Sequence, residues 1–386
     1  MAKLGIILSA VCLTSTAVIW AVGIILKDDL RDSGADFAAN LQDERDQSLV
    51  DFMTVVYWTV PFSLPIFFVV TLQTLGPLPG LKAIGMLSFS VYICALLRIL
   101  IAWPQIYWAR HEARGLVCLI DWALPSPSLG PLATVIAYFA WQMREPVRFW
   151  IAIPVAFLIA QYFVELYLGF SDFFTSLMSI SFGCSLAVCM HGFDEYLERA
   201  FNYAMEFKIK GAIAMTSTFF LCIAVTFAIY EGRKPYLPGS WDDNFEDVCD
   251  DADEVSLDVA CFTTCVIIAL FYGAVTGSLV ANILVKEPWW TDEKSRPKKI
   301  LVTIAYIYLG FGLVFAVSII KQSIRSASSD SFISFIIEDR YGYFTYFYGL
   351  ITSYILGITL AAILPMFCHI CFGRKREPLS IQINSR

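Results

Sequence analysis

The chain has 386 residues, of which 58% are hydrophobic and only 16% are charged, and its formal net charge is −7. So little charge, combined with long apolar runs, excludes a soluble globular domain of this size. Nothing in the composition predicts a nucleic-acid partner.

Ten apolar stretches predict membrane-spanning helices, because a bilayer core of about 30 Å needs about 20 apolar residues per helix. The first stretch is long for a signal-peptide core and lacks a clear cleavage site, so we expect a retained span. We therefore predict an all-α polytopic membrane protein with one integral domain, 1–386, and about ten transmembrane helices; nine is the alternative, since two stretches are short. The ten stretches are residues 4–26, 50–73, 81–103, 128–146, 148–164, 171–190, 210–230, 257–285, 299–321 and 345–372.

The basic residues predict the orientation of these spans. Loops on the side of both termini hold sixteen Lys and Arg residues, and the other side holds ten. By the positive-inside rule we expect both termini, and the tail 372–386, in the cytoplasm. The loop 103–128 and the acidic run 241–254 then face the lumen or the exterior. The acidic run lacks the spacing of a calcium loop, so we interpret it as a solvated surface.

Two further patterns concern the loops. Residues 191–209 alternate charged and aromatic side chains at helical spacing, which predicts an amphipathic helix on the cytoplasmic face. Cys118 and Cys249 fall on the same predicted side, so a disulfide between them stays open. No Cys and His spacing indicates a metal, and we predict neither a metal nor a cofactor.

The loop that follows the third span has the most informative sequence. The apolar helix ends at Trp103-Pro104, and about twenty residues later Leu124-Pro-Ser-Pro-Ser128 opens the next apolar helix. Tyr167-Leu-Gly-Phe170 lies in the next loop predicted on that same side. Near the carboxyl end, Glu338-Asp-Arg-Tyr-Gly-Tyr-Phe-Thr-Tyr346 precedes a span that ends at Leu364-Pro365.

These motifs resemble those of the type 2 phosphatidic-acid phosphatase superfamily in their order, in their spacing and in the side of the membrane on which they are predicted to lie. The resemblance covers about residues 50–370. The sphingosine-1-phosphate phosphatase branch is the most similar, and glucose-6-phosphatase is more distant. The resemblance implies a helical phosphatase core at 81–190. In that family one histidine attacks phosphorus, a second protonates the leaving alcohol, and Lys and Arg side chains clamp the phosphoryl oxygens.

Most residues at the matching positions differ from the family in their chemistry. Of the charged clamp only Arg98 keeps a basic side chain, since Gln105 and Glu165 stand at the arginine positions. Ser128 and Ser171 stand at the two histidine positions. A carboxylate in place of an arginine gives Arg98 a partner within the chain, so we expect a salt bridge between Arg98 and Glu165. The matching positions are Arg98, Gln105, Ser126, Ser128, Glu165, Ser171 and Thr175.

None of the three histidines is a convincing replacement nucleophile. His191 and His369 are predicted at cytoplasmic helix ends, a full bilayer away from Arg98. His111 lies in the lumenal loop, but no carboxylate other than Glu112 or Asp121 is placed to orient it. Ser171 is unattractive as a nucleophile because it needs an adjacent base, and Asp172 is expected on another face of the helix.

These patterns favour a lipid-phosphatase-like protein, catalytically inactive, in the endoplasmic reticulum membrane. Its expected partners are membrane lipids, including a lipid phosphate, or membrane proteins. One alternative is an active phosphatase of the sphingosine-1-phosphate type that uses non-standard residues. The other is an unrelated transporter or channel. Against it, Arg98 is the only clear basic residue inside the spans, away from their ends, and no polar helix face indicates a pore.

Overall fold

The structure is a computed structural model, which describes residues 2–42, 46–57, 59, 77–109, 115–117, 121–142, 151–196, 198–199, 208–233, 257–284, 341–359 and 361. Over these ranges all regular secondary structure is helical, and no strand occurs. Four helical stretches within them are long and apolar enough to cross a membrane: Lys82–Trp108, Phe173–Tyr196, Ile213–Arg233 and Ala260–Ser278. The protein is therefore an all-α integral membrane protein.

Most helices follow the apolar stretches of the sequence, because a chain inside a bilayer must satisfy its backbone hydrogen bonds within the helix. The polar helix Lys27–Leu41 and the short helix Ile106–Ala109 lie outside the predicted spans. Eight of the ten predicted spans each correspond to one helix whose bounds the structure gives. The span 50–73 is helical at 50–57 and at 59 within the described residues, and 299–321 lies outside them. The helices are α1 (Ala2–Ile25), α2 (Lys27–Leu41), α3 (Pro77–Ile101), α4 (Ile106–Ala109), α5 (Leu129–Gln142), α6 (Ala152–Leu168), α7 (Phe173–Gly192), α8 (Lys208–Arg233), α9 (Asp258–Leu284) and α10 (Tyr341–Ile358).

Small residues bring the central helices α5 and α7 into close contact. Gly183 of α7 lies so near the carbonyl oxygen of Gly130 that a Cβ atom built on Gly183 collides with it. Helix α3 joins the same group through a 2.9 Å hydrogen bond from Ser90 Oγ to Thr134 Oγ1. Helices in a membrane gain little from hydrophobic burial against each other, so close packing and interhelical hydrogen bonds hold them together.

A second close pair is formed by α9 and α10. Cβ atoms on Gly273 and Gly277, one turn apart on α9, would meet the α10 backbone at Tyr354 and Ile358. Thr276 Oγ1 and the Tyr354 hydroxyl are 2.9 Å apart across the same interface. Helix α8 packs on the outside of this pair and of α3. Its outward face is apolar and exposed, as expected for contact with lipid: Ile213, Phe220 and Leu221 are each more than 60% exposed.

Different helix ends and polar contacts lie at the two ends of the helix bundle. At one end α3 and α6 finish and α5 and α7 begin, and Arg233 at the end of α8 donates a 3.5 Å hydrogen bond to the carbonyl of Ile101. At the opposite end the Tyr138 hydroxyl donates to Asp194 at 2.8 Å, and Lys82 pairs with Glu198 at 2.8 Å. The loop motifs 98–128 and 165–171 therefore share one end, as their predicted sidedness requires.

Within the predicted amphipathic helix 191–209, residues 191–192 end α7, residues 208–209 begin α8, and the described residues 194–196 and 198–199 between them are helical. Phe193 and Tyr196 are exposed there, and Arg199 lies 3.4 Å from Glu195. Several other predictions fall outside the described residues. These are the Cys118–Cys249 pair, His111, His369, the acidic run 241–254 and the tail 372–386.

Candidate functional site

A buried carboxylate, Glu165, is the centre of the candidate site. Glu165 lies in the last turn of α6 and is 1% exposed. Its Oε1 atom accepts a 2.6 Å hydrogen bond from Ser126 Oγ and a further one from Ser128 Oγ. Its Oε2 atom accepts from Ser171 Oγ at 3.1 Å. Three hydroxyls from two loops therefore converge on one carboxylate.

Local helix signals explain why these groups meet. Gly169 adopts a left-handed conformation with φ 80°, which ends α6 and turns the chain toward α7. Asp172 then caps the N-terminus of α7 by accepting a 2.6 Å hydrogen bond from the Thr175 backbone N–H. Ser126 Oγ accepts from the Leu129 backbone N–H at 3.0 Å, at the start of α5. The N-termini of α5 and α7 thus flank Glu165, and a helix N-terminus is a position that favours negative charge.

The nearby arginine contacts a different carboxylate from the one we expected. Arg98 is 1% exposed, and its Nε lies 3.2 Å from Asp121 Oδ1. Its Nη1 donates a 3.4 Å hydrogen bond to the carbonyl oxygen of Pro125. The prediction of an Arg98–Glu165 salt bridge is therefore wrong. The reason is that the 121–128 segment folds back over the end of α3 and brings Asp121 to Arg98.

Asp121 connects the arginine to the rest of the loop. Its Oδ1 accepts a 2.9 Å hydrogen bond from the Trp122 backbone N–H, and its backbone carbonyl accepts one from Gln105 Nε2. Burial raises the pKa of the Asp121 carboxyl, and Arg98 together with the Trp122 N–H opposes that rise. The indole rings of Trp108 and Trp122 pack edge to face beside it, with centroids 5.2 Å apart.

Six of the seven predicted positions therefore belong to one continuous site, in two parts. Ser126, Ser128 and Ser171 surround Glu165, whereas Arg98 and Gln105 bind the Asp121 side of the loop. Because Pro125 and Ser126 are adjacent, the two parts lie against the same turn. The Thr175 hydroxyl contacts neither part: its Oγ1 donates to Asp172 Oδ2 at 2.7 Å.

Four polar residues of the site were not predicted from the sequence as members of it: Asp121, Gln161, Asp172 and Ser176. Gln161 is fully buried, and its Nε2 lies 3.4 Å from Ser128 Oγ. It precedes Glu165 by four residues, so its place on the same helix face was available from helical spacing. Ser176 Oγ lies 2.6 Å from Ser171 Oγ. Asp172 and Asp121 sit beside motif residues but match no family position.

The site holds hydroxyl and carboxylate groups and, within the described ranges, no imidazole. The one histidine in these ranges, His191, is in the last turn of α7, about 27 Å along that helix from Phe173. Ser171, however, has the adjacent carboxylate that we did not expect, since Glu165 Oε2 is 3.1 Å away. The described residues contain no cluster of three or more His, Cys, Asp or Glu side chains that could hold a metal ion.

Comparison with known protein families, with characterised proteins and with solved structures finds no match to this chain. The kinship with lipid phosphatases therefore stays a prediction.

Proposed function

We propose that this protein is a lipid-phosphatase-like multi-pass membrane protein that binds membrane lipid and does not hydrolyse phosphate esters. The single observation that supports this is the environment of Glu165. Its carboxylate accepts three serine hydroxyls at the point where, by the motif correspondence, the phosphoryl group of a substrate would lie.

Electrostatics argues against a phosphate at this position. At an effective dielectric of about 20, two like unit charges about 4 Å apart repel by roughly 4 kcal/mol. Arg98, the one arginine of the site in the part of the chain that the structure describes, is already paired with the buried Asp121. When ionised, Glu165 supplies its own negative charge to a site beside the N-termini of two helices, which is where an anion is favoured.

The proposal includes the finer topology. It has about ten spans with both termini in the cytoplasm, and the Glu165 site at the lumenal side of the endoplasmic reticulum membrane. Two observations support this topology. The described parts of the 98–128 and 165–171 loops lie at the same end of the helix bundle, and the basic residues are distributed unequally between the two predicted sides. Glycosylation acceptor sites inserted after Arg233 test it, since they should be modified only if that end is lumenal.

One observation favours an active phosphatase as the second candidate. Ser171 Oγ and Glu165 Oε2 are 3.1 Å apart, which places a base next to a potential nucleophile. An active enzyme would also need a general acid for the leaving alcohol. His111, outside the described residues, is the histidine to examine for that role.

A phosphate-release assay separates the two candidates. Purified full-length protein is incubated with sphingosine-1-phosphate and with phosphatidic acid, beside an active lipid phosphatase and the Ser171→Ala and His111→Ala variants. We expect no release above the level of the variants, and no phosphoserine by mass spectrometry. Release that Ser171→Ala or His111→Ala abolishes, in protein that remains folded, would contradict the proposal.

A further inference from the structure

An apolar groove separate from the Glu165 site lies between α8, α9 and α10. Its volume is about 540 Å³, within the range typical of small-molecule sites. No charged side chain of the described residues lines it, and its walls include Phe219 and Ile223 of α8, Tyr272 and Thr276 of α9, and Ile351 and Tyr354 of α10.

The groove lies at the middle depth of the membrane-spanning helices. On α8 its lining runs from Met215 to Phe227, which centres on the midpoint of Lys208–Arg233. On α9 it contains Tyr272 and Thr276, close to the midpoint of Asp258–Leu284. Both helices contain a stretch long and apolar enough to cross a membrane. These positions correspond to the depth of the hydrocarbon core of a bilayer.

The mouth of the groove faces outward and its floor faces the protein core. Phe220, Ile351 and Ile355 at the mouth are 63%, 59% and 55% exposed. Phe219 and Ile223 on the floor are partly buried and pack against the core cluster that contains Tyr230 and Cys265. A molecule reaches this groove sideways from the bilayer.

We propose that the groove binds one hydrocarbon chain of a bilayer lipid. Its apolar lining suits a chain of methylene groups. Burial of one methylene group contributes about 0.8 kcal/mol when the group leaves water, but little when it leaves lipid. The shape of the groove, rather than hydrophobicity, therefore favours a hydrocarbon chain. Its Thr276 and Tyr354 hydroxyls lie 2.9 Å apart and satisfy each other, so the occupant needs no polar group there. This site is independent of the phosphatase resemblance.

Photolabelling tests the proposal with the full-length protein in phosphatidylcholine nanodiscs. A phosphatidylcholine with a diazirine in the middle of one acyl chain is included, and labelled residues are mapped by mass spectrometry. Any lipid around the protein labels Leu221, which faces outward and is absent from the groove lining. Only a chain inside the groove labels Phe219.

Two matched tryptophan variants identify the site. Ile223→Trp fills the floor of the groove, so we expect loss of labelling at Phe219 with labelling at Leu221 retained. Leu221→Trp adds the same side chain outside the groove, so labelling at Phe219 should persist. An unlabelled Phe219 in the unmodified protein, or equal labelling in Ile223→Trp, would overturn the proposal. So would a photoreactive residue at position 223 that cross-links only to residues 299–321 of the same chain.

Discussion

Ser126 donates a 2.6 Å hydrogen bond to Glu165, 39 positions away, and joins the turn before α5 to the last turn of α6. Both residues are about 1% exposed, so the bond forms without competition from water. A buried hydroxyl that loses its hydrogen-bond acceptor lowers the stability of the folded protein. This contact therefore helps to hold the turn before α5 against the end of α6.

Replacing Glu165 tests how far the site depends on its carboxylate. Glu165→Leu removes the acceptor of three hydroxyls, and each one left without a partner costs about 1–3 kcal/mol. Ser171→Ala should cost less, because it removes one donor and leaves the carboxylate with the other two. We expect Glu165→Leu to unfold at a lower temperature than Ser171→Ala. Tryptophan fluorescence of the detergent-solubilised protein measures both unfolding temperatures. Equal unfolding temperatures for Glu165→Leu and the unmodified protein would contradict this.

The buried pair Arg98–Asp121 should respond asymmetrically to mutation. Arg98→Met leaves Asp121 buried without its cation, and removal of one partner of a buried ion pair costs roughly 3–5 kcal/mol. The double variant Arg98→Met/Asp121→Leu should recover much of that loss, since it leaves no unpaired charge. Thermal unfolding of both variants measures the difference.

The control for this pair is the exposed ion pair between Glu195 and Arg199. Arg199→Ala should change the free energy of unfolding by no more than about 1 kcal/mol. If Arg98→Met is as mild as Arg199→Ala, the Arg98–Asp121 contact does not stabilise the site.

The contact between α5 and α7 should tolerate no side chain at Gly183. Gly183→Leu would drive its side chain into the Gly130 carbonyl and the Ala133 side chain, and overpacking costs about 1–3 kcal/mol or more. Gly192→Ala, on the same helix, meets no atom within 4 Å and should be neutral or stabilising by about 0.5–1 kcal/mol. The yield of monodisperse protein and its unfolding temperature report the difference. A stable Gly183→Leu protein would show that α5 and α7 do not approach so closely.

The α9–α10 contact should control the groove as well as stability. Gly273→Ile places a branched side chain against the Tyr354 carbonyl, which moves α10 away from α9. We expect loss of acyl-chain labelling at Phe219, since Tyr354 and Ile351 on α10 form one wall of the groove. Gly232→Ala near the end of α8 is the control, because its new methyl group contacts nothing within 4 Å. Unchanged labelling of Phe219 in Gly273→Ile would show that the groove does not depend on the α9–α10 contact.

The sequence predicted most of the residues that meet in the site, but not all of their partners. Ser126, Ser128, Glu165 and Ser171 were identified by their motif positions, and hydrogen bonds join them. Thr175 was grouped with them by the same motif, yet it bonds to Asp172 in a helix cap. Motif spacing identifies the loop to which a residue belongs, whereas capping chemistry decides which neighbour its side chain contacts.

The sequence by itself determined that this is an all-α membrane protein and where its described apolar helices lie, because a bilayer demands long apolar runs that satisfy their own backbone hydrogen bonds. Only the tertiary structure decided that Arg98 pairs with Asp121 while Glu165 takes the serines. Both carboxylates were available to Arg98 in the sequence. The path of the 121–128 turn over the end of α3 selected between them, and ionic contacts depend on distances of a few ångströms that no linear pattern encodes.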